Sequence, residues 1–204
     1  MNISHFYKIR STAPVWSSKL WCKVLLPAVM VFLCTIILSG NAQAIGIDYK
    51  IKAAYLYQFT KFTQWPVQQF SDKNTPIRIC VLGRSPFGNL LDIFSSKTSQ
   101  NRSLSIKYLP SLKNILNCHV VFISRSEEKR LTQILHKIAH SPVLTVSDMD
   151  DFVRRGGIIG FVPKRKKVGI EINIGASSAS GAKLSSKLLE IATLIKNGPE
   201  TKSP

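Results

Sequence analysis

The stretch Ile77–Leu82 (IRICVL) decides the fold, because it is a short apolar run enclosed by segments that break regular structure. A polar stretch, Gln68–Pro76, precedes it, and Gly83 and Pro86 follow it. Apolar runs of this length with turn residues on both sides are typical of buried strands in parallel sheets. The turn after the strand leads into a short predicted helix, Phe87–Phe94.

The same alternation of strand-like and helix-like segments continues along the chain. Alternation of this kind predicts an α/β fold with a mainly parallel sheet. The predicted strands are Leu104–Leu109, Cys118–Ile123 and Val143–Val146, and the predicted helices are Ser111–Leu116, Ser126–Ala139 and Asp148–Arg154.

The two ends of the domain complete the predicted architecture. Ile47–Trp65 has apolar residues at helical spacing, and Pro66 ends that helix. Near the other end, strands Ile158–Val162 and Lys167–Ile174 have a short connection that predicts an antiparallel hairpin, and Ser178–Lys196 reads as a closing helix. We therefore predict a single three-layer α/β domain with a mainly parallel sheet, an antiparallel C-terminal hairpin and helices on both faces.

The first 44 residues have the three parts of a secretory signal peptide. Residues 1–23 carry four basic side chains and no acidic one, an apolar run extends over Val24–Leu38, and Ala42-Gln43-Ala44 resembles a cleavage site. The apolar run is shorter than the ~18–20 residues that span a bilayer comfortably. We expect cleavage near Ala44, which leaves residues 45–204 as the exported domain, and an uncleaved anchor is the alternative.

Charge then narrows the classes of partner. The chain carries 28 basic and 11 acidic residues, a formal net charge of +17, and its 45% hydrophobic content excludes wholesale disorder. Removal of the four basic residues of the signal peptide leaves 24 against 11, so the exported domain carries +13. Outside the cytosol this charge favours anionic membrane surfaces, acidic partners or acidic ligands over nucleic acid, and a role in solubility alone is the alternative.

Four consecutive basic residues, Lys164, Arg165, Lys166 and Lys167, fall at the predicted hairpin turn. Their functional interpretation is a peripheral contact with a membrane surface or an acidic partner. A solvated turn without a partner is the alternative.

Only two cysteines, Cys80 and Cys118, remain in the exported domain. Two cysteines in an oxidising compartment favour one disulfide bond. The strands that carry them are expected to be neighbours in a doubly wound sheet, at a spacing that a disulfide tolerates. A bond within such a ladder would be strained and more easily reduced, so a structural bond and a redox-sensitive bond both stay open.

The sequence contains no catalytic constellation. Gly83–Gly88 lies between a strand and a helix but lacks the lysine of a P-loop, which favours a plain turn. His136 and His140 have a spacing that can hold a metal, but no third ligand is evident and a solvated helix face is the simpler interpretation. We therefore predict no enzymatic activity, no cofactor and no metal site.

Several ordered segments resemble one known family of small periplasmic proteins. They are Ala53–Phe62 with Trp65-Pro66, Ile79–Gly83 with Pro86-Phe87-Gly88, Cys118–Ser124, Pro142–Asp148, Gly156–Ile159, Ile170–Asn173 and Ser185–Ala192. Together they cover nearly all of residues 50–195 in the family's order. The chain thereby resembles the YfiR family.

The resemblance implies a periplasmic, non-enzymatic inhibitor. Characterised relatives bind the periplasmic domain of an inner-membrane diguanylate cyclase, and their release raises cyclic di-GMP and favours biofilm. Cys80 and Cys118 match cysteines whose bond makes such relatives redox-responsive, and the second cysteine pair of some relatives is missing here. The resemblance also places Phe161, Glu171 and Ile174 at the partner-contact surface, and a homodimer stays open.

Strand alternation puts Glu171 and Asn173 on the face opposite Val168, Ile170 and Ile172, where they could meet a partner or simply face solvent. A different class of function is also kept. In it, the domain is a periplasmic small-molecule-binding sensor module that acts with a sensor kinase or an outer-membrane receptor, with its pocket at the carboxyl ends of the parallel strands.

Overall fold

A computed structural model describes residues 48–165 and 167–195 of the chain. The predicted signal peptide (1–44), its cleavage site and Lys166 lie outside the described residues. The helices are α1 (48–62), α2 (Leu131–Ile138), α3 (Ile174–Ser180) and α4 (Ser186–Glu190). The strands are β1 (Thr63–Gln64), β2 (Ile77–Leu82), β3 (Thr98–Ser99), β4 (Arg102–Leu109), β5 (Val120–Ile123), β6 (Leu144–Ser147), β7 (Ile159–Lys164), β8 (Lys167–Asn173), β9 (Lys183–Leu184) and β10 (Thr193–Ile195).

The strands form one large sheet and one small one. The large sheet has the order β10-β8-β7-β6-β5-β2-β4-β3, and β1 pairs with β9 in a separate antiparallel pair. Neighbouring strands from β4 across to β7 are parallel, as are β8 and β10. Strands β7 and β8 form an antiparallel hairpin. The predicted α/β class, with a mainly parallel sheet and an antiparallel hairpin, is confirmed.

Side-chain alternation along the strands divides the core into two clusters, one on each face of the sheet. On the first face, Val120 and Phe122 of β5 share a cluster with Leu56 of α1, and we call this side the α1 face. On the second face, Val121 of β5 shares a cluster with Ile134 of α2, and we call this side the α2 face. Helices therefore cover both faces, and the predicted three layers are present. No described helix combines the length and apolar character needed to span a bilayer.

The predicted closing helix, Ser178–Lys196, is wrong. Instead, the chain there forms the end of α3, then β9, α4 and β10, up to the last described residue. Helix α3 stops at Gly181, which has a φ of 80° in the left-handed region that glycine readily adopts. The next residues pair with β1, and Thr193–Ile195 adds a strand beside β8. Pairing with distant strands thus outweighs the local helical pattern.

Three shorter predicted helices are also reduced in the structure. Asp92–Phe94 and Ile115–Asn117 are single turns of 3-10 helix, and residues 149–156 form turns. The predicted helix Ser126–Ala139 begins as a 3-10 helix, Arg125–Arg130, and continues as α2. A short segment forms few helical hydrogen bonds for the backbone order that it fixes, so turn geometry prevails unless tertiary packing favours a helix.

Candidate functional site

The structure joins Cys80 and Cys118 by a disulfide bond, with their Cα atoms 6.0 Å apart. Cys80 lies in the middle of β2, and Cys118 lies just before β5, which pairs with β2 as predicted. Both residues belong to the cluster on the α2 face, where they are 1% and 2% exposed. The sulfur atoms are therefore shielded from solvent in the folded protein.

The bond is not the ladder rung that the strand assignment predicted. Cys80 is paired across the ladder with Val121, whereas Cys118 caps the 3-10 helix Ile115–Asn117 ahead of β5. The bond therefore fastens the connection that enters β5 onto the middle of β2.

His119 follows Cys118 but lies on the α1 face, where its ring contacts Trp65 and Phe70. It is fully buried, its ring stacks on Phe70 at 4.7 Å, and its Nδ1 accepts the backbone N–H of Arg78 at 3.0 Å. Burial, and then the positive charges of Arg78 and Arg102, lower the pKa of His119 to about 4. The ring is therefore neutral at neutral pH and serves as a hydrogen-bond acceptor within the core.

The structure does not bring Phe161, Glu171 and Ile174 together on one surface. Phe161 is 3% exposed and points to the α1 face, where its ring stacks on Phe59 at 5.9 Å. Ile174 is the first residue of α3 and lines a cavity of about 480 Å³ together with Leu184. Glu171 lies on the opposite face of β8, as the alternation predicted.

Around Glu171 lies a part of the sheet that we call the hairpin face, formed by Gly160, Val162, Gly169, Glu171 and Thr193, of which the two glycines are buried and Thr193 is exposed. These residues are neighbours across β7, β8 and β10. A Cβ atom built at Gly160 would lie 3.2 Å from Cγ1 of Val153, so Val153 covers the hairpin face at that end. A Cβ atom built at Gly169 would lie 3.1 Å from Cγ2 of Val162. Glu171 is half-buried and has no salt-bridge partner within the described parts of the chain.

The basic run lies at the tip of the β7–β8 hairpin, as predicted. Lys164 and Lys167 are paired at the ends of the two strands, and both are exposed, as is Arg165 between them. Side chains of like charge held this close repel one another, and an anionic surface or an acidic partner would relieve that repulsion.

A buried ion pair that sequence reasoning missed anchors α1 to the carboxyl end of β6. Lys52 Nζ lies 2.9 Å from Asp148 Oδ2, and both side chains are at least nine-tenths buried. The Tyr49 hydroxyl donates to the same oxygen at 2.8 Å, and Arg125 donates to the backbone carbonyl of Asp148. Burial and the hydrogen bond to Asp148 raise the pKa of the Tyr49 hydroxyl. Lys52 and Tyr49 are 96 and 99 positions from Asp148 in the sequence, so no local pattern links them to it.

The remaining sequence candidates are a pair of histidines and the loop after β2. His136 and His140 are both exposed, and His140 lies beyond the last residue of α2. Residues 48–165 and 167–195 contain no cluster of three or more side chains suited to hold a metal ion. Gly83 is the turn predicted after β2, with a φ of 84°.

A sequence model of one family, described as YfiR/HmsC-like, matches residues 49–193. That span covers β1 to β9, both faces of the sheet and the disulfide. The chain belongs to the YfiR/HmsC-like family. The resemblance drawn from the sequence segments is thereby confirmed. No curated protein matches the chain. At the level of the family, membership of the YfiR/HmsC-like proteins supports a periplasmic regulator that acts on a membrane signalling protein.

Proposed function

We propose that this YfiR/HmsC-like protein binds the periplasmic domain of an inner-membrane diguanylate cyclase and holds the cyclase inactive. The observation that carries the proposal is the hairpin face within a domain of this family. A sheet surface that carries one half-buried carboxylate is suited to a protein partner rather than to a small substrate.

Glu171 is the contact residue in this proposal. Its carboxylate is only partly solvated and has no salt-bridge partner among the described residues. A partner protein that supplies a basic side chain would form an ion pair with this carboxylate. Thr193, the neighbour of Glu171 on β10, is exposed, so a partner can approach the carboxylate from that side.

Phe161 and Ile174 lie outside the hairpin face and would contribute to the contact from other positions. Phe161 lies under the hairpin and stacks on Phe59, so it holds β7 in place without itself reaching the partner. Ile174 follows β8 directly and lines the cavity beside α3, where an apolar side chain of the partner could insert. In this arrangement Glu171 provides direction and Ile174 provides apolar contact.

The basic hairpin tip adds a membrane contribution. A regulator of a membrane protein works close to the bilayer, and each basic side chain near anionic lipid contributes about 1 kcal/mol. Lys164, Arg165 and Lys167 are exposed and lie next to the hairpin face. They would therefore hold the domain near its partner at low salt and release it at high salt.

The disulfide supports this function as a redox-sensitive element. The Cys80–Cys118 bond fixes the entry to β5, so its reduction would loosen the centre of the sheet from which the hairpin extends. In the proposal the oxidised protein is competent to inhibit, and reduction relieves inhibition.

Binding of the partner tests the proposed surface. We expect Glu171→Lys to weaken binding to the cyclase periplasmic domain at least about tenfold, because it replaces the carboxylate by a positive charge that would repel the cation supplied by the partner. Asp92→Lys is the matched control, since it changes the net charge by the same amount. Asp92 accepts a hydrogen bond from the hydroxyl of Tyr108, a residue of β4. Four strands separate β8 from β4, so the control is about 24 Å away across the sheet. Equal affinities for the two variants would remove Glu171 from the interface.

Deletion of the gene tests the function itself. We expect intracellular cyclic di-GMP to rise in the deletion strain and to return when the wild-type gene is restored. The Glu171→Lys gene should fail to restore the low level, whereas the Asp92→Lys gene should restore it. An unchanged cyclic di-GMP level, with the protein shown to be expressed, would contradict inhibition of a diguanylate cyclase and favour a sensor kinase as the partner.

A further inference from the structure

A cavity of about 390 Å³ lies at the carboxyl ends of β2 and β5 and has no part in the proposed partner surface. The chain leaves β2 toward β4 on one side and returns to β5 on the other, so these two strands flank the topological switch point of the sheet. Ligands of open α/β sheets bind at such crevices. The loop after β2 contributes Arg84 and Ser85, and the loop after β5 contributes Ser124, Arg125 and Ser126. We call this space the carboxyl-edge cavity.

Hydroxyl donors are concentrated in the carboxyl-edge cavity. The Oγ of Ser126 accepts the backbone N–H of Arg84 at 2.9 Å, and the Oγ of Ser85 accepts that of Phe87 at 3.2 Å. Because both oxygens already accept, each hydroxyl proton is left to donate to a ligand. Ser124 is 2% exposed, and its Oγ has no partner among the described residues. A buried hydroxyl without a partner costs free energy, and a bound acceptor would remove that cost.

The charge of the carboxyl-edge cavity favours an anion. Arg84 is exposed and has no salt-bridge partner in the described parts of the chain. Arg125 also lines the cavity, but its guanidinium is already paired with Asp148 at 3.6 Å and with Asp150 at 3.1 Å. Asp148 is the acidic residue of the lining, and its carboxylate is already bound by Lys52 and Tyr49. The local balance is therefore positive, with one guanidinium fully available.

We propose that the carboxyl-edge cavity binds the phosphate group of a small phosphate ester. Three hydroxyls and the guanidinium of Arg84 offer more donors than the two oxygens of a carboxylate accept, whereas a phosphate has three terminal oxygens and a double charge. A volume of about 390 Å³ lies within the range of roughly 300–1,000 Å³ for small-molecule sites, so it accommodates an organic group beside the phosphate.

Calorimetric titration tests the proposal, with protein recovered from a host that exports and processes the full chain. The probes are glycerol 3-phosphate and inorganic phosphate. We expect glycerol 3-phosphate to bind more tightly than inorganic phosphate. Arg84→Gln and Ser124→Ala should each weaken its binding at least about tenfold, because each removes a hydrogen bond to a charged group. Lys187→Gln on α4 is the control for loss of one positive charge at an exposed site, and it should change the affinity less than twofold.

Each outcome decides the proposal. Thermal melts of the variants establish that they fold, and Arg84→Gln removes only an exposed side chain. Inorganic phosphate that binds as tightly as the ester would overturn the assignment to an ester and leave a site for the free anion. No binding of either probe to the folded protein, or equal binding to all four proteins, would overturn the phosphate site itself.

Discussion

Reduction of the Cys80–Cys118 bond should lower the free energy of unfolding by about 4 kcal/mol. The bond spans a sequence separation of 38 residues. In the chain-entropy description, closing a loop of that length removes about 13 cal/mol/K from the unfolded chain, which gives about 4 kcal/mol at 25 °C. Reduction changes no side chain other than the two cysteines, which are both buried, so the native packing should contribute little to the difference.

Tryptophan fluorescence during urea unfolding measures this difference. Of the three tryptophans, only Trp65 lies outside the predicted signal peptide. Its side chain is 8% exposed, and its ring lies 5.4 Å from that of His119, the residue after Cys118. It should therefore report the unfolding of the region that the bond constrains. With a denaturant slope of about 2 kcal/mol per molar urea, a loss of 4 kcal/mol lowers the midpoint by about 2 M.

A double variant, Cys80→Ala with Cys118→Ala, is the control, because its midpoint should not respond to reductant. Mass spectrometry establishes that the wild-type protein is fully reduced. Reduction should also be slow without urea, since attack on sulfur atoms that are 1% and 2% exposed requires local opening. A midpoint shift below about 0.5 M after complete reduction would refute the loop-entropy reasoning and show that the unfolded chain stays constrained without the bond.

Two further predictions concern single residues. His119 has a pKa of about 4 in the fold against about 6.5 when unfolded, so the unfolded chain takes up the proton more readily and stability should fall as the pH drops below about 6.5, by about 3 kcal/mol near pH 4. In urea titrations His119→Asn should flatten this pH dependence, whereas the control His136→Gln, at an exposed histidine, should leave it as steep as in the wild-type protein. The same pH dependence in both variants would refute the assignment to His119. Gly83→Ala should destabilise the fold by about 2–3 kcal/mol, since a Cβ there would lie 2.5 Å from the Oγ of Ser126 at a φ of 84°. The control Gly88→Ala, at a φ of 55° with no atom within 4 Å of the added Cβ, should cost only about 1 kcal/mol. Equal urea midpoints for the two variants would show that the loop at Gly83 relaxes around the added methyl group.

The central strands could be predicted because their signal is local. Ile77–Leu82 has the same bounds in the structure as in the sequence assignment, since turn residues on both sides leave little freedom in where it begins and ends. Its neighbour β5 follows from the strand order of doubly wound sheets, in which the first and third strands of the chain lie side by side. The disulfide could be expected from the same adjacency, although its exact partner positions depend on a 3-10 helix that the pattern did not specify.

The C-terminal region could not be predicted because its periodicity is compatible with two structures. Leu184 and Leu188 are four residues apart, as in a helix, and both pack against the α1-face core. In the structure they belong to separate elements, β9 and α4, which meet the core from different directions. Ile191, which a continuous helix would place on the same face as Leu184 and Leu188, is 60% exposed. Short segments of this kind are decided by the partners available, here β1 and β8, and those partners lie far away in sequence.

The carboxyl-edge cavity could be predicted only in part. The sequence analysis anticipated a pocket at this edge of the sheet and singled out the loop Gly83–Gly88, but it did not identify the residues after β5 and β6 that complete the lining. Parallel strands that lie side by side bring the residues after them to one edge of the sheet, so the loops after Leu82 and Ile123 had to meet. Which donors remain free there depends on contacts such as Ser126 with Arg84, 42 residues apart, and Lys52 with Asp148, 96 residues apart. No spacing rule encodes these pairings, because each depends on how α1 and the loops dock onto the finished sheet. The chemistry of the site is therefore a property of the tertiary fold, and a variant such as Ser124→Ala tests it without disturbing the strands that create it.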